Sequence, residues 1–306
     1  MFLGNRSENM MPRSKREKID FSSALMIAPF LILFAVFTLL PVLVSIFLSL
    51  FTYDMVTMPK FAGFSNYARM FLGDNVFLIS VKNTLMFAVV TGPVSFALAY
   101  ILAWMINEFT PKTRSLLSFL FYSPSLTGGA YFIWQVLFSG DSYGYINSML
   151  LTSGVITTPI QFFKDPRYAM GIVMIVQLWM SMGVSFLANI AGLQNVNTEL
   201  YEAGAIDGIT NRWQELWFIT LPSMRSILLF GCVMQIQATF SVSSVATALT
   251  GSPSVNYSTE TIVTHLVEVG TVRFEMGYAA AISVFLFALM AATRVLVGKL
   301  INMTGK

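Results

Sequence analysis

Six long runs of predominantly apolar residues constrain this chain more than any other feature. A helix needs about 20 apolar residues to cross the hydrocarbon core of a bilayer, and every run reaches that length. Helices are favoured because a spanning segment must satisfy its own backbone hydrogen bonds. We therefore predict an all-α polytopic membrane protein with six transmembrane helices, at residues 24–50, 80–106, 115–138, 169–193, 225–248 and 277–301.

The composition agrees with a membrane protein. Of the 306 residues, 56% are hydrophobic and only 11% are charged, whereas about a quarter of the residues of a soluble domain are charged. Such a chain cannot cover itself with polar surface in water. The net charge of +3 is modest, so no nucleic-acid partner is expected, whereas membrane lipid is.

The charged residues predict how the chain is oriented. With the N-terminus in the cytoplasm, twelve Lys and Arg residues lie in or near cytoplasmic segments and six lie outside. We expect a polar, basic cytoplasmic tail at 1–20 that is not a cleavable signal peptide. The single six-span domain is expected at 21–306, with a cytoplasmic C-terminus. The outside segments are then 51–79, 139–168 and 249–276, the last with a short helix near 258–269.

The chain has one cysteine and one histidine. Cys232 lies in an apolar run and His265 lies in an outside segment. An intramolecular disulfide is excluded, and we expect a packed thiol, a surface histidine and no metal site. Helix breakers such as Pro29, Pro124 and Gly128–Gly129 interrupt several runs. They fit a bundle that flexes or ordinary kinks equally well.

The longest polar stretch between two runs is residues 195–224, which includes EAGAIDGITNRWQELWFITLP at 202–222. Asn197 or Thr198 can cap the start of a helix. Gly208 suits the left-handed residue that follows a helix end. We predict one helix of roughly ten residues between them.

A second short helix is predicted after this turn. Asn211 is a good N-cap, and Gln214 three residues later makes a pair like a capping box. The helix is expected to run from Arg212 to Thr220. Leu221–Pro222 should then break the chain before the fifth span, because the residue before a proline is disfavoured in the helical region.

This stretch resembles the EAA loop of permease subunits of binding-protein-dependent ABC importers. That pattern is Glu-Ala-Ala, three residues, Gly, nine residues and Ile-x-Leu-Pro. Here Gly204 replaces the second Ala, and ten residues separate Gly208 from Ile219. The surplus residue is placed most simply in the turn at 209–211, where insertions are cheapest. FAGFSNYARMF, AGLQNVNTELYEAGAIDG and MGYAAAISVFLF extend the similarity to the carbohydrate-importing branch, near the maltose and glycerol-3-phosphate permeases.

The resemblance implies a partner for the loop. In this family the EAA helix docks in a groove of a cytoplasmic ATPase, and ATP-driven closure of two ATPases rocks the spans between outside and inside access. It also implies a second homologous permease and an extracytoplasmic solute-binding protein facing segments 139–168 and 249–276, in a bacterial plasma membrane. The implied ATPase-coupling residues are Glu202, as the polar anchor to the ATPase, with Ala203, Gly204, Asp207 and Gly208.

The chain itself carries no enzyme signature. Its only Gly-Lys pair, Gly298–Lys299, lacks the earlier glycine of a phosphate-binding loop. Paired carboxylates are missing from the predicted spans, which disfavours a membrane enzyme. We expect no cofactor in this chain, with ATP and Mg²⁺ bound by the partner ATPase.

Uncharged polar residues and tryptophans recur along the third, fourth and fifth runs. Either they contact substrate or they form hydrogen bonds between helices. The family resemblance favours substrate contact, and the absence of charge fits a neutral polar solute. The predicted substrate-pathway residues are Trp134, Gln135, Gln177, Trp179, Ser181, Gln235, Gln237 and Ser241.

Spacing predicts how these residues group. In a continuous helix, residues four apart share a face. We therefore expect Gln177, Ser181 and Ser185 on one face of the fourth span. In the fifth span, one face is expected to carry Gln235, Thr239 and Ser243. An adjacent face is expected to carry Gln237, Ser241 and Ser244.

Together these features predict a transmembrane permease subunit of an ATP-driven importer for a sugar or oligosaccharide. An alternative is an importer permease for glycerol phosphate or another nonsugar solute. A stand-alone secondary carrier would leave the 202–222 pattern unexplained.

Overall fold

A computed structural model describes residues 21–303 of the chain, so the predicted tail at 1–20 lies outside the described residues. The described chain divides into two units, residues 21–47 and 48–303. The described part is mostly helical and has almost no strand. Its α-helices, in chain order, are α1 Phe21–Phe34, α2 Leu40–Leu48, α3 Ser65–Leu72, α4 Asn75–Asn107, α5 Pro111–Leu126, α6 Phe132–Leu137, α7 Tyr145–Thr152, α8 Pro166–Met180, α9 Val184–Gln194, α10 Thr198–Ile206, α11 Arg212–Glu215, α12 Leu221–Ser223, α13 Arg225–Phe240, α14 Ser244–Thr250, α15 Ile262–Val267 and α16 Met276–Met303.

Three π-turns, a short 3₁₀ turn and a small hairpin complete the described secondary structure. The π-turns are Ala35–Leu39, Leu216–Thr220 and Glu268–Val272. In the hairpin, strand β1 Phe51–Thr52 pairs antiparallel with β2 Lys60–Phe61. A short 3₁₀ turn lies at Val255–Tyr257. The predicted helix near 258–269 is confirmed, as α15 and the π-turn that continues it to Val272.

Five apolar helical segments of the described chain are long enough to cross a membrane: Leu25–Leu48, Asn75–Asn107, Pro166–Gln194, Arg225–Thr250 and Met276–Lys299. They correspond to five of the six predicted spans. The predicted third span is divided instead into α5 and α6. The helix runs past Pro124 but ends at Leu126, before the glycine pair at 128–129.

The first unit is one apolar helix interrupted by the π-turn at Ala35–Leu39. None of its described side chains is buried within the chain. A helix that is apolar on all sides needs an apolar environment all round.

Two of the long segments are interrupted near their middle. The fourth span breaks at Ser181–Gly183 between α8 and α9, and the fifth breaks at Ser241–Ser243 between α13 and α14. The breaks coincide with a division of the core. Val176 and Val242 belong to one buried cluster with α6, α8 and α14, whereas Met182 and Phe186 belong to another with the second half of α4 and α9.

The helix α4 is the centre of the second unit. It packs against α8, α9 and α13. Its start is capped by Asp74, whose carboxylate accepts a hydrogen bond from the backbone N–H of Phe77 at 3.0 Å. Its far end, at Asn107, lies beside the polar stretch at 195–224, as the contacts of Glu108 and Trp104 below show.

Candidate functional site

The first helix of the polar stretch forms as its caps predict. It is α10, and Asn197 Oδ1 accepts a hydrogen bond from the N–H of Glu199 at 3.1 Å. Gly208 follows the helix end with φ +92°, a left-handed conformation that favours glycine. The N–H of Ile209 donates to the carbonyl of Gly204, which closes the helix end. Both cap predictions are confirmed.

The second helix also begins where predicted. Asn211 Oδ1 accepts a hydrogen bond from the N–H of Gln214 at 2.9 Å. The Gln214 side chain accepts from the N–H of Thr210, one residue before the position that a capping box uses. Residues 209–211, the predicted place of the surplus residue, lie outside any helix. The α-helix α11 passes into the π-turn Leu216–Thr220.

The predicted break at Leu221–Pro222 is wrong. Leu221 is helical, with φ −60° and ψ −46°, and Pro222 lies in the first turn of α12, where a missing N–H costs little. The chain leaves the helix at Met224 instead, with φ −94° and ψ 7°. Met224 is buried, and its N–H donates to the carbonyl of Thr220.

The five predicted coupling residues divide between two sides of the loop. Glu202, Ala203, Asp207 and Gly208 are exposed. Gly204 is the one residue of α10 that is buried. A methyl group in its place would lie 2.6 Å from Ile219 Cδ1. The outward side is therefore exposed, whereas the inward side is packed against Ile219.

The second helix of the loop contacts the end of α4. Arg212 Nη2 lies 3.0 Å from Glu108 Oε2, and its Nη1 donates to Glu215 at 2.7 Å. The Trp213 ring lies 5.5 Å from that of Trp104. Sequence reasoning missed these pairs because about a hundred residues separate the partners. The only available signal was opposite charge and a shared residue type.

The predicted substrate-pathway residues are only partly brought together. The rings of Trp134 and Trp179 meet edge to face, with centroids 5.7 Å apart. Gln135 on the same helix as Trp134 donates its amide to the carbonyl of Ala248. The structure thus joins α6, α8 and α14 at one place. The Trp134 indole N–H is buried without an acceptor among the described residues.

The predicted faces of the fourth and fifth spans are wrong beyond the breaks. The helix α8 ends at Met180, and the hydroxyl of the following Ser181 donates to the carbonyl of Leu178 at 2.7 Å, whereas Ser185 lies in the first turn of the next helix, α9. Similarly, α13 ends at Phe240, before Ser241 and Ser243. Residues four apart share a face only while the helix continues.

Within each helix, the remaining polar residues differ in exposure. Gln235 is buried, whereas Gln237 and Ser241 are exposed and Gln177 is half-buried. The hydroxyl of Thr239 donates to the carbonyl of Gln235, an ordinary intrahelical bond. The exposed residues Gln237 and Ser241 are the ones that a solute or another subunit could reach.

The structure places a further polar cluster at the start of α4 and α16, which sequence reasoning missed. His265 is fully buried, and the prediction of a surface histidine is wrong. Its Nε2 lies 2.9 Å from Asp74 Oδ2, which also accepts a hydrogen bond from the Tyr278 hydroxyl at 2.7 Å. The Arg69 guanidinium stacks over the Tyr278 ring and pairs with Glu275. Among the described residues, no group of His, Cys, Asp and Glu is arranged to hold a metal ion.

Comparison with known proteins decides what this bundle is. The chain is 31% identical over 284 residues to the probable ABC transporter permease protein YesP of Bacillus subtilis, covering 92% of this chain and 90% of the relative. It is 33% identical to the lactose transport system permease protein LacF of Rhizobium radiobacter, covering 91% and 93%. The chain belongs to the permease proteins of ABC transporters. A comparison with models of known protein families finds no match.

A solved structure shows that this permease has the fold of its family. A chain of a bacterial ABC transporter involved in the import of the acidic polysaccharide alginate superposes with a TM-score of 0.76 at 22% identity. The match covers 94% of this permease and 97% of that chain. Because the identity is low, the likeness establishes the fold alone.

Proposed function

We propose that this permease is the transmembrane subunit of a bacterial ABC importer for a sugar or oligosaccharide. The observation that carries the proposal is the exposed side of α10, with Glu202, Ala203, Asp207 and Gly208, in a chain whose relatives are permeases of this kind. A capped helix with an exposed outer side offers a preformed surface for an ATPase partner. ATP binding and hydrolysis occur in that partner, with its Mg²⁺, and the spans alternate access.

The substrate class rests on relatives and on the pathway residues. Relatives include lactose and arabinooligosaccharide permeases, the latter AraP of Bacillus subtilis at 31% identity. The predicted pathway residues are all uncharged, and the Trp134–Trp179 pair supplies aromatic surface with an indole N–H that has no acceptor among the described residues. Aromatic rings and neutral hydrogen-bonding groups suit a neutral sugar better than an ion.

A second candidate substrate is a glycerol phosphate. The sn-glycerol-3-phosphate permease UgpA of Agrobacterium fabrum is 28% identical to this chain, and the match covers 88% of this chain and 90% of UgpA. A phosphate group is usually bound by Arg or Lys. None of the eight predicted pathway residues is basic, so the sugar remains the favoured substrate.

The outer loop at 139–168 is the proposed contact surface for an extracytoplasmic binding protein. Asn147 is fully buried, and its amide donates to the carbonyls of Ser139 and Ile160, which holds the loop closed. Tyr143 and Tyr145 are exposed on this loop, at 94% and 68%. Exposed tyrosines are typical of protein interfaces. A second permease subunit completes the complex.

The coupling assignment is tested by copurification. The permease is expressed with candidate ATPase and permease subunits from the neighbouring genes, and copurification and ATP turnover are measured. Glu202→Ala and Gly208→Asp are expected to weaken ATPase binding. The matched control is Glu199→Ala, which changes an exposed glutamate in the first turn of the same helix. Unchanged copurification and ATP turnover in both coupling variants would contradict the assignment.

A further inference from the structure

The hidden side of α10 is tied to the π-turn Leu216–Thr220 by a chain of hydroxyl groups. Tyr201 Oη lies 3.0 Å from Thr220 Oγ1, which lies 3.2 Å from the carbonyl oxygen of Glu215. A carbonyl can only accept, so the Thr220 hydroxyl donates to Glu215 and the Tyr201 hydroxyl donates to Thr220. Thr220 is only 2% exposed. If Tyr201 moved away, the Thr220 hydroxyl oxygen would therefore lose the hydrogen bond that it accepts from Tyr201, and no water could replace it.

A second contact joins the same two elements through packing. Gly204 lies against Ile219, whose Cδ1 occupies the space that a side chain at position 204 would need. Ile219 is itself buried in the π-turn. Because Ile209 Cδ1 also comes within 3.1 Å of that space, the site has little room for a larger residue. A residue larger than glycine at this position would therefore require the ends of the Ile219 and Ile209 side chains to move.

The π-turn in turn leads directly to the start of the fifth span. Thr220 accepts a backbone hydrogen bond from Met224, the residue at which the chain breaks before α13. Met224 is 1% exposed and packs beside Gly192 of α9, where an added methyl group would lie 2.8 Å from Met224 Cε. Pro222 and Ser223 are exposed, so the path from α10 to the spans runs through the backbone hydrogen bond between Thr220 and Met224 and through the buried Met224 side chain.

We propose that Tyr201, Thr220, Gly204 and Ile219 form a joint that holds α10 and the π-turn as one rigid body. They are positioning residues, because they touch neither ATP nor solute. In the assembled importer, a displacement of α10 by the ATPase then reaches α13 instead of being absorbed inside the loop. This second step rests on the proposed function, whereas the rigidity of the joint does not.

The rigidity is tested by distance measurement in the purified full-length permease. Spin labels are placed at Glu199→Cys on α10 and Ser226→Cys on α13, both exposed, in a Cys232→Ala background. Double electron–electron resonance is expected to give one narrow distance distribution. Tyr201→Phe removes one hydrogen bond of the joint and Thr220→Val removes both, and each variant should raise the population of separated conformers at least about fivefold. The matched control is Thr210→Val, in the exposed turn of the same loop, which should leave the distribution unchanged.

The packing contact is tested with a second pair of variants. Gly204→Val places a branched side chain against Ile219 and should broaden the distribution, whereas Ala205→Val changes the next, exposed residue and should not. If Gly204→Val fails to fold, Thr220→Val and Tyr201→Phe still decide the question. A distribution as narrow in these two variants as in the parent would overturn the proposal.

Transmission is tested in the complex with its ATPases, without nucleotide and after trapping with ATP and vanadate. A rigid joint predicts that the distance between the two labels in the parent is the same without nucleotide and after trapping. In Thr220→Val, ATP turnover should stay at the parental rate while the distance distribution broadens. A parental distance that changes on trapping overturns transmission through the joint. Loss of ATPase binding in the parent itself contradicts the proposed function instead, and leaves the result on the free permease standing.

Discussion

His265 Nε2 lies 2.9 Å from Asp74 Oδ2, although 191 residues separate the two along the chain. The carboxylate can only accept, so this ring nitrogen carries the proton. The same oxygen accepts a hydrogen bond from Tyr278, and the other oxygen of Asp74 caps α4. The pair therefore ties the start of α4 to α15 and α16. Burial acts to raise the pKa of Asp74, but its hydrogen bonds from Phe77, Tyr278 and His265 outweigh burial and lower it below 3.8.

The lowered pKa of Asp74 predicts a pH-dependent contribution to stability. A carboxyl group whose pKa is lower in the folded state stabilises the fold above the unfolded value and loses that contribution as the pH falls through the folded pKa. Asp74→Asn keeps a good helix cap but removes the charge. It should cost about 1–3 kcal/mol at pH 7, with a smaller loss as the pH falls below 3.8. Thermal unfolding of the detergent-solubilised permease between pH 7 and pH values below 3.8 measures this loss of stability. The control is Asp141→Asn, in an exposed loop.

The burial of Glu260 predicts that its contribution to stability depends on pH in the opposite direction. It is 1% exposed, one carboxyl oxygen has no partner among the described residues, and burial raises its pKa above 4.5. A raised carboxyl pKa means that the contribution to stability is complete below the unfolded value and is lost as the pH rises through the folded pKa. Glu260→Gln should be neutral near pH 4.5 and raise the melting temperature at pH 8. A lower melting temperature than that of the parent at pH 8 would show that the charged form is well satisfied. Glu199→Gln, fully outside the core, should have little effect at either pH.

Gly208 should resist substitution for a backbone reason alone. Nothing lies within 4 Å of the space a side chain would take, but φ is +92°. Gly208→Ala should therefore destabilise the loop by about 1–3 kcal/mol through strain. Gly171→Ala is the control, because that glycine has the same open space in the helix α8 without a positive φ, and alanine there should be neutral or stabilising. Hydrogen exchange of the loop amides, compared with those of α8, distinguishes the two sites.

The ion pair of Arg212 with Glu108 should contribute little to stability. Both side chains are substantially exposed, at 62% and 44%. Exposed pairs are screened by water and contribute about 0.2–1 kcal/mol. A double-mutant cycle with Arg212→Gln and Glu108→Gln should yield a coupling energy in that range. A value of several kcal/mol would indicate that the end of α4 is shielded by another subunit in the sample.

Local features of the loop could be predicted because their causes lie within a few residues. Asn197 and Asn211 each cap the N–H of a residue two or three positions later, and Gly208 follows its own helix. The break before the fifth span could not, because the π-turn and the burial of Met224 override the preference of the residue before Pro222. The substrate-pathway faces failed for a related reason. The fourth and fifth runs each read as one long, mainly apolar stretch, and the serines and glycine at Ser181–Gly183 and Ser241–Ser243 do not by themselves distinguish an interruption from a continuous helix.

The amino-acid sequence by itself determined that the chain is a bundle of long apolar helices with a capped polar loop, because hydrophobicity and capping act within a segment. Only the tertiary structure decided that His265 is buried against Asp74, that Trp134 meets Trp179, and that Gly204 lies under Ile219. Each of these contacts joins residues from different helices. Their energies depend on which helices pack together, and an apolar run satisfies the membrane equally well in many packings.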